Sequence, residues 1–390
     1  MNRQKLFRIV IYALPIMATI FSTPALRAQG ITLTGVGPVN RSMGGAGTAA
    51  PLDAIGALHW NPGSICALAS NELGFGVELL NADIRLSNGG ATTSGDAGWS
   101  AIPSIGWVHH VNDTVTVGLG VYGVAGFKNN LPNDPTNPIF LVLGGPGFAS
   151  AEILQIAPTL SLQITERLSV GFSPTITTET LTFDPLGPPV TPVLTLGQGN
   201  RMHWGGGFQA GAYYRGLSGF NTGFTFKSTQ WIEDLNFFTP TGTAHLKLDY
   251  PMIVSLGLSY TGLQDWVFAI DGRYFDYENT DGYREFGWRS VFASAIGAQY
   301  RVSEKLTTRV GYNCNQNPIQ SGQVFANLLS PLIQDQNIAM GGTYQFTRNV
   351  GMNAGYVYLI NNSLTGPSPL GPIQHEIQAH SIMVGISVRY

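Results

Sequence analysis

Apolar and polar side chains alternate along the chain from residue 71 onward. The last segment shows the pattern most clearly, because every second position is apolar. Its apolar face consists of Ile382, Val384, Ile386, Val388 and Tyr390, and its other face consists of Ser381, Gly385, Ser387 and Arg389. A period of two residues is typical of a β-strand that has one apolar face. The pattern therefore predicts strands over most of the chain.

Fourteen segments share this pattern. They cover residues 71–87, 99–111, 113–127, 149–165, 168–183, 202–216, 219–233, 243–262, 264–279, 289–301, 305–316, 335–346, 349–361 and 377–390. An even number of strands, each with one apolar face, is typical of a bacterial transmembrane β-barrel, in which closure pairs every strand edge because lipid offers no hydrogen bonds. We therefore predict an all-β membrane protein with a 14-stranded antiparallel barrel over residues 71–390.

The connections between the predicted strands alternate in length. Short connections fall at residues 112–113, 165–167, 216–219, 303–304 and 347–348. Long connections, rich in Pro, Asn and Gly, fall at residues 128–148, 184–201, 317–334 and 362–376. Short turns on the periplasmic side and long loops outside are typical of outer-membrane barrels, so we expect this location.

Composition supports a membrane barrel. Charged residues make up 11% of the chain, against about 25% in average soluble proteins. Gly accounts for 49 of 390 residues, which is well above the average Gly content of about 7%. Beyond the N-terminus no apolar run reaches the about 20 residues that a spanning helix needs. The net charge is −3 and no Lys/Arg run occurs, so a nucleic-acid partner is not expected.

The N-terminus has the layout of a secretory signal peptide. Basic residues at positions 3–8 precede an apolar run over 9–21 and a small-residue cleavage region. We expect residues 1–28 to be removed, with Gln29 as the first mature residue, although cleavage after Ala25 would also fit the pattern. Cys66 and Cys314 are far apart in sequence. We expect two free thiols, and a disulfide is the alternative in an oxidising compartment.

Residues 29–70 lack the alternation and are rich in small residues. The glycines at 44–47 do not form a phosphate-binding loop, because no Gly-Lys-Ser/Thr follows them. A compact segment ahead of a barrel can hang in the periplasm or fill the lumen. Small side chains allow close packing, so we expect residues 29–70 to form an N-terminal plug, or hatch, inside the lumen.

Several motifs in this segment lie in a recognisable order: Arg41, Gly44, Gly47, Asp53, Asn61, Pro62 and Gly63. This order resembles the hatch of the FadL/TodX family of outer-membrane transporters. The usual family triplet is Asn-Pro-Ala, and we expect Gly63 in its third place to loosen the local backbone. Stretches at 249–257, 310–318 and 342–358 are similar to later parts of the family's barrel.

The resemblance implies passive uptake of long-chain fatty acids or other hydrophobic compounds. Ligand would bind at the outer loops, enter an apolar pocket in the lumen, and leave through an opening in the wall at a kink of the third strand. That strand contains Gly118, Gly120, Gly123 and Gly126. Glycine permits bulges, but these glycines could equally make room for the plug.

If the apolar face of each strand contacts lipid, the side chains of the opposite face point into the lumen, and this predicts which polar residues lie there. These are His203, Gln209, Arg215, Lys227, Asp271, Arg273 and Arg309. A buried cation would attract a fatty-acid carboxylate, since pairing offsets the cost of burying both charges. Lys227, Arg273 and Arg309 are therefore candidates. The alternative is that Arg273 pairs with Asp271 or with the acid of the plug, Asp53, and that the ligand is a neutral hydrocarbon.

Two apolar loop segments are candidates for first capture of ligand, because exposed apolar patches often mark binding sites. One contains Phe140, Leu141, Val142 and Leu143, and the other contains Phe325, Leu328 and Leu329. The alternative for the first segment is a short helix packed on the neighbouring loop.

Two competing functions remain at this stage. A general porin would need an open, charge-lined channel, which the few charges and the expected plug disfavour. A lipid-modifying enzyme would need a catalytic motif, and the seven His residues lie in none, such as Gly-x-Ser-x-Gly. We expect no enzyme activity, metal or cofactor, and we expect a monomer whose partners are a hydrophobic ligand and outer-membrane lipids.

Overall fold

A computed structural model describes residues 30–184, 201–239 and 242–390. The expected signal peptide and most of the predicted loop at 184–201 lie outside the described residues. The described strands are β1 (Glu72–Asn88), β2 (Ala91–Ser94), β3 (Trp99–His110), β4 (Val115–Leu131), β5 (Gly147–Gln163), β6 (Leu168–Asp184), β7 (His203–Arg215), β8 (Phe220–Lys227), β9 (Trp231–Ile232), β10 (Leu235–Thr239), β11 (Gly242–Leu246), β12 (Ile253–Tyr260), β13 (Trp266–Phe275), β14 (Val291–Arg301), β15 (Leu306–Asn315), β16 (Gln336–Gln345), β17 (Val350–Gly366) and β18 (Ile373–Arg389).

Fourteen of these strands form a closed antiparallel barrel, which confirms the predicted fold class. The wall follows the chain order β1, β3 to β8 and β12 to β18, and β18 pairs with β1 from Glu72–Arg389 to Asn88–Ile373. The short strand β2 pairs with the outer end of β1, β9 pairs with β7, and β10 and β11 form a separate hairpin. Closure leaves no unpaired sheet edge along the first and last strands.

The predicted faces of the strands are confirmed at most positions. On β13, Trp266 and Phe268 are exposed on the outer surface, while Asp271 and Arg273 are buried inside. His203, Gln209, Lys227 and Arg309 are also buried. Arg215 is the exception, because it is the last residue of β7 and is exposed at the rim beside the short turn.

Several sequence predictions about strand ends are wrong, and two of them have a clear physical reason. The predicted strand at 243–262 is divided into β11 and β12, because Pro251, which has no amide hydrogen to pair, lies between them. The predicted loop at 362–376 is mostly strand, since β17 continues to Gly366 and β18 begins at Ile373. A register shift between Leu359 and Asn362 interrupts the alternation here.

The helices are short. They are α1 (Gly37–Ser42), α2 (Ala54–Trp60) and α3 (Ile139–Leu143), with 3-10 turns at Pro62–Ala67, Leu217–Gly219 and Ser321–Gln323. Within the described ranges, none of the helices has the length and apolar character needed to cross a bilayer.

Residues 30–70, here called the inner segment, lie inside the barrel. Helix α1 packs against β1 and β15 to β18, α2 packs against β1 and β3 to β5, and the turn at Pro62–Ala67 packs against β4 to β7. Asn61 joins two parts of the protein, because its Nδ2 donates to Thr48 O at 2.8 Å and to Ala212 O on β7 at 2.9 Å. These contacts fix the inner segment against the wall on opposite sides.

Gly63 does not loosen the segment as expected. A Cβ at this position would lie 2.8 Å from Gly211 O on β7, and Ser169 Oγ donates to Gly63 O at 2.6 Å. The close approach of two backbones therefore requires glycine here, and the expectation of a looser backbone is wrong.

Candidate functional site

An apolar cavity of about 140 Å³ lies between the inner segment and the wall. Its lining comes mainly from residues 31–34 and from β1, β3, β4 and β5. Apolar side chains such as Ile84, Ile102, Phe127 and Ile153 dominate the lining, and its charged members are Arg41, Lys128 and Glu152. Concave, mostly apolar sites with few polar groups are typical of small-molecule binding sites.

The wall beside this cavity has a gap between β3 and β4. The two strands pair only from Ser104–Tyr122 to His110–Thr116, although β3 continues to Trp99 and β4 continues to Leu131. Beyond Tyr122, β4 remains paired with β5, and a bulge lies between Gly123 and Ala125. The outer halves of β3 and β4 are therefore not joined by a hydrogen-bond ladder.

The cavity extends into this gap. On β5, Ala151 and Ile153 are buried and face inward, whereas Glu152 is exposed on the opposite face. All three line the cavity. Since alternate residues of a strand point to opposite faces, the lining includes residues from both faces of the wall at this point.

The inner segment pairs with β4 at the bulge. Leu33 N donates to Val124 O at 2.9 Å, and Gly126 N donates to Ile31 O at 3.2 Å. Thr32 forms an isolated antiparallel bridge with Ala125. The backbone of residues 31–33 thus covers the inner side of the gap and satisfies backbone groups that β3 leaves unpaired.

The four candidate glycines of β4 have different surroundings. A Cβ at Gly118 would lie 2.6 Å from Leu58 of α2, so this glycine makes room for the inner segment. A Cβ at Gly120 would meet the Tyr122 ring at 2.4 Å. Gly123 and Gly126 instead flank the bulge and line the cavity. Room for the inner segment therefore explains Gly118, whereas a bulge in the wall explains Gly123 and Gly126.

Arg41 joins the inner segment to β1 beside the cavity. Its Nε and Nη2 donate to Glu78 Oε2 and Oε1 at 3.0 and 2.5 Å, and both side chains are buried. A further hydrogen bond connects Arg41 with Thr34. Sequence reasoning missed Glu78, although it lies on the inward face of β1 between the outward Val77 and Leu79.

None of the three predicted carboxylate-binding cations lines the cavity. Arg273 forms an ion pair with Asp271 at 2.7 Å and donates to Gly45 O at 2.5 Å, so the predicted alternative partner, Asp271, is confirmed. Arg309 donates to Gln299 and Thr343 at 2.7 and 2.8 Å. Lys227 donates to Gln155 Oε1 at 3.3 Å.

Among the described residues, the cation that does line the cavity, apart from the paired Arg41, is Lys128. It is half-buried near the outer end of β4, next to the gap. Sequence reasoning assigned Lys128 to a loop, because the bulge shifts the alternation and hides the outer end of the strand. Lys128 directly follows Phe127, the last residue of the predicted strand, and this proximity is the sequence signal that indicates a position on the wall.

Two further motif residues fix the inner segment, Asp53 at the start of α2 and Gly44 just after α1. Asp53 is the N-cap of α2, where its side chain accepts from Gly56 N at 3.2 Å. Burial, together with the charge of Glu72, raises the pKa of Asp53 to about 7. Gly44 lies against the backbone of Tyr312 with φ at +67°, a conformation that favours glycine.

The candidate capture loops pack together at the outer end of the barrel. Phe140 and Leu143 of α3 belong to the same buried apolar cluster as Leu328 and Leu329, and Phe325 packs against it. Leu141 points outward and is 80% exposed. Val142 is half-buried. The helical alternative for this loop is thus confirmed, with one large apolar side chain left in solvent. Cys66 and Cys314 are free thiols, as expected.

The family model described as outer membrane protein transport protein (OMPP1/FadL/TodX) matches residues 15–390. Among solved structures, the chain is similar to the P. putida toluene transporter TodX, with 17% identity, a TM-score of 0.74, and coverage of 92% of this chain and 99% of that chain. The Ralstonia pickettii toluene transporter TbuX has 15% identity and a TM-score of 0.70, with coverage of 92% of this chain and 99% of that chain. A Pseudomonas aeruginosa FadL homologue has 14% identity and a TM-score of 0.72, with coverage of 92% of this chain and 99% of that chain.

These structural likenesses show a common fold. A curated relative from Chlorobium limicola, described as an uncharacterized protein in the phosphoenolpyruvate carboxykinase gene 5′ region, is 33% identical over 87 residues. The match covers 22% of this chain and 42% of that relative, so this chain spans less than half of its length.

Proposed function

The chain belongs to the outer membrane protein transport family OMPP1/FadL/TodX, and on that premise we propose that it takes up hydrophobic compounds by passive diffusion into the apolar cavity and out through the gap in the wall. The observation that carries the proposal is the continuity between cavity and gap: the same cavity is lined by Ile153 inside the barrel and by Glu152 on the other face of β5.

The size and lining of the cavity support a small hydrophobic ligand. An apolar cavity of about 150 Å³ in another protein stays dry and binds benzene, and the cavity here has about 140 Å³. Its lining cation Arg41 already has a counter-charge in Glu78. A neutral compound therefore needs no further partner, and the carboxylate of a fatty acid would meet Lys128 near the gap.

The lateral route follows from the surroundings of the gap. Outward apolar side chains such as Phe75, Val77 and Ile105 surround the lower wall next to β3, so a ligand leaving between β3 and β4 would pass directly into the lipid layer. The alternative route, straight through the lumen, is occupied by the inner segment. We propose that this segment is the plug and that residues 31–33 must separate from β4 before ligand passes.

The outer loops supply the first contact in this proposal. Leu141 is an exposed apolar side chain above the buried cluster that contains Phe140 and Leu143. A hydrophobic compound that binds there would leave water before it reaches the cavity.

Replacing Gly123 and Gly126 with Val tests the route. A Cβ at Gly123 would lie 2.6 Å from Ile102 on β3, so a Val there would extend into the gap. A Cβ at Gly126 would lie 2.7 Å from Ala151 O on β5, so a Val there would also displace the backbone beside the gap. Gly272→Val is the matched control, because no atom lies within 4 Å of a Cβ at this wall position. We expect cells with the double variant to lose uptake of radiolabelled naphthalene and laurate, and cells with Gly272→Val to keep it. Normal uptake by a correctly folded double variant would reject the route.

A further inference from the structure

A buried polar cluster lies under the inner segment, away from the apolar cavity. It consists of His59, Tyr122, Gln155, Gln209, Thr225 and Lys227, all of which are at most 3% exposed. None of these residues lines the cavity. The cluster is therefore not part of the hydrophobic site described above.

Pairing and contacts bring these side chains together. Gln209 on β7 pairs directly with Lys227 on β8, so the two side chains share the inward face. Thr225 precedes Lys227 by two residues on that face. Gln209 Nε2 donates to His59 O at 3.0 Å, and Gln155 Oε1 accepts from Lys227 Nζ at 3.3 Å. The rings of His59 and Tyr122 meet edge-on at 5.2 Å, which places α2 over the cluster.

The cluster contains hydrogen-bond donors and acceptors that its own residues leave without partners. Both ring nitrogens of His59, the hydroxyls of Tyr122 and Thr225, and Gln209 Oε1 have no partner within the described structure. Lys227 has three N–H donors, and among the described residues only Gln155 accepts from it, with no carboxylate at ion-pair distance. Buried polar groups are almost always hydrogen-bonded, and a buried charge normally has a counter-charge.

The neighbouring charges do not supply that counter-charge. Arg273 and Asp271 are both charged side chains on the inward face of β13, and they pair with each other at 2.7 Å. Burial, with the charges of Lys227 and Arg273, lowers the pKa of His59 well below its usual value. A neutral His59 keeps one N–H to donate. Among the described residues, the region therefore has two basic side chains, Lys227 and Arg273, an acid that is already paired, and several donors without a partner.

We propose that this cluster is an anion-binding site, in which a carboxylate or a small inorganic anion accepts hydrogen bonds from Lys227, Thr225, His59 and Tyr122. The anion supplies the missing counter-charge and joins α2 of the inner segment to β7 and β8 of the wall. The site is separate from the apolar cavity and does not rest on the proposed uptake route.

Titration calorimetry with acetate, in a zwitterionic buffer free of halide and other carboxylates, tests the site on the full-length protein in detergent. We expect acetate to bind the wild type and to bind Lys227→Met at least about tenfold more weakly, since a charge-assisted hydrogen bond is lost. Lys305→Met, which removes an exposed cation at a turn, should bind acetate like the wild type. Equal affinity of Lys227→Met and the wild type would overturn the proposal.

A competition arm distinguishes two sources of the anion. If laurate displaces acetate, the carboxylate of a long-chain ligand reaches the cluster; if it does not, a free small anion is the occupant, and the site stands in both cases.

Bromide in crystals of the wild-type protein gives a test that does not depend on the folding of a variant. An anomalous peak at hydrogen-bond distance from Lys227 Nζ supports the site. Absence of such a peak, together with absence of acetate binding, means that water alone fills the cluster and overturns the proposal.

Discussion

Arg41 of the inner segment and Glu78 of β1 form a buried ion pair with two hydrogen bonds, of 3.0 and 2.5 Å. Ser381 on β18 donates a further hydrogen bond to Glu78 Oε1 at 2.6 Å. The inner segment is thereby attached to the two strands that close the barrel. Because Arg41 also lines the cavity, this attachment lies where ligand would have to pass.

Glu78→Gln should therefore loosen the inner segment. The substitution leaves the Arg41 guanidinium buried without a counter-charge, and breaking a buried ion pair in this way costs about 3–5 kcal/mol. We expect a lower midpoint of thermal unfolding and more frequent current openings in planar bilayers. The double variant Arg41→Met, Glu78→Met removes both charges and should recover most of the loss. If the single variant has the same unfolding midpoint and the same frequency of current openings as the wild type, the ion pair does not hold the inner segment in place.

The stability of the inner segment should fall as pH rises through the neutral range. Burial raises the pKa of Asp53 from 3.8 to about 7, so the folded state binds a proton that the unfolded state has already released above pH 4. The contribution is fully present below about pH 4 and is lost as pH rises through about 7; it amounts to something on the order of 4 kcal/mol. Hydrogen exchange of the α2 amides at pH 5 and pH 8 measures the part of this change that falls above pH 5, roughly two thirds of it.

Asp53→Asn provides the control for that measurement. Asn is an equally good N-cap and carries no charge, so protection of α2, relative to a reference strand in the barrel, should no longer depend on pH. A variant that keeps the full pH dependence would show that a different group is responsible.

Leu141→Ser should slow the first step of uptake without changing the stability of the barrel. Leu141 is 80% exposed on α3, and surface substitutions usually change stability by less than about 0.5 kcal/mol. We expect a lower initial rate of laurate uptake at low concentration and an unchanged rate at high concentration. Leu217→Ser is the matched control, because Leu217 is 68% exposed in a short turn at the opposite end of the barrel. Equal effects of the two variants would contradict a capture role for α3.

The wall could be predicted from sequence because lipid imposes a simple rule on it. Every second residue must be apolar, so Phe268 and Ile270 identify their strand even without a partner strand. The rule ends where the strands leave the lipid. Residues 362–366 contain Leu364 as their one large apolar side chain, so the sequence predicts a loop there, yet they pair in β17. Above the membrane, the strand is maintained by its hydrogen bonds and by packing of residues such as Leu364 and Ile373 against the apolar cluster. Neither leaves a strict alternation in the sequence.

The site was harder to predict than the wall. The glycines of β4 indicated a bulge, but sequence could not separate Gly118, which accommodates Leu58, from Gly126, which lines the gap. Ion pairs between distant positions, such as Arg41 with Glu78, depend on where the inner segment lies in the lumen. The candidate cations also differ in their partners, which the sequence does not show: Arg273 pairs with its neighbour Asp271, whereas Lys227 forms no ion pair in the described residues.

A reversible disulfide across the edge of the gap tests the central claim most directly. A Cβ built on Gly123 lies 3.9 Å from the Cβ of Ile102, within the roughly 3.5–4.5 Å that a disulfide requires. Ile102→Cys and Gly123→Cys would be introduced into a protein in which Cys66 and Cys314 are replaced by Ala, and uptake of radiolabelled naphthalene and laurate would be measured in cells. We predict that the oxidised variant does not take up either compound and that reduction restores uptake. Equal uptake before and after reduction, with the disulfide shown to be formed, would contradict passage between β3 and β4.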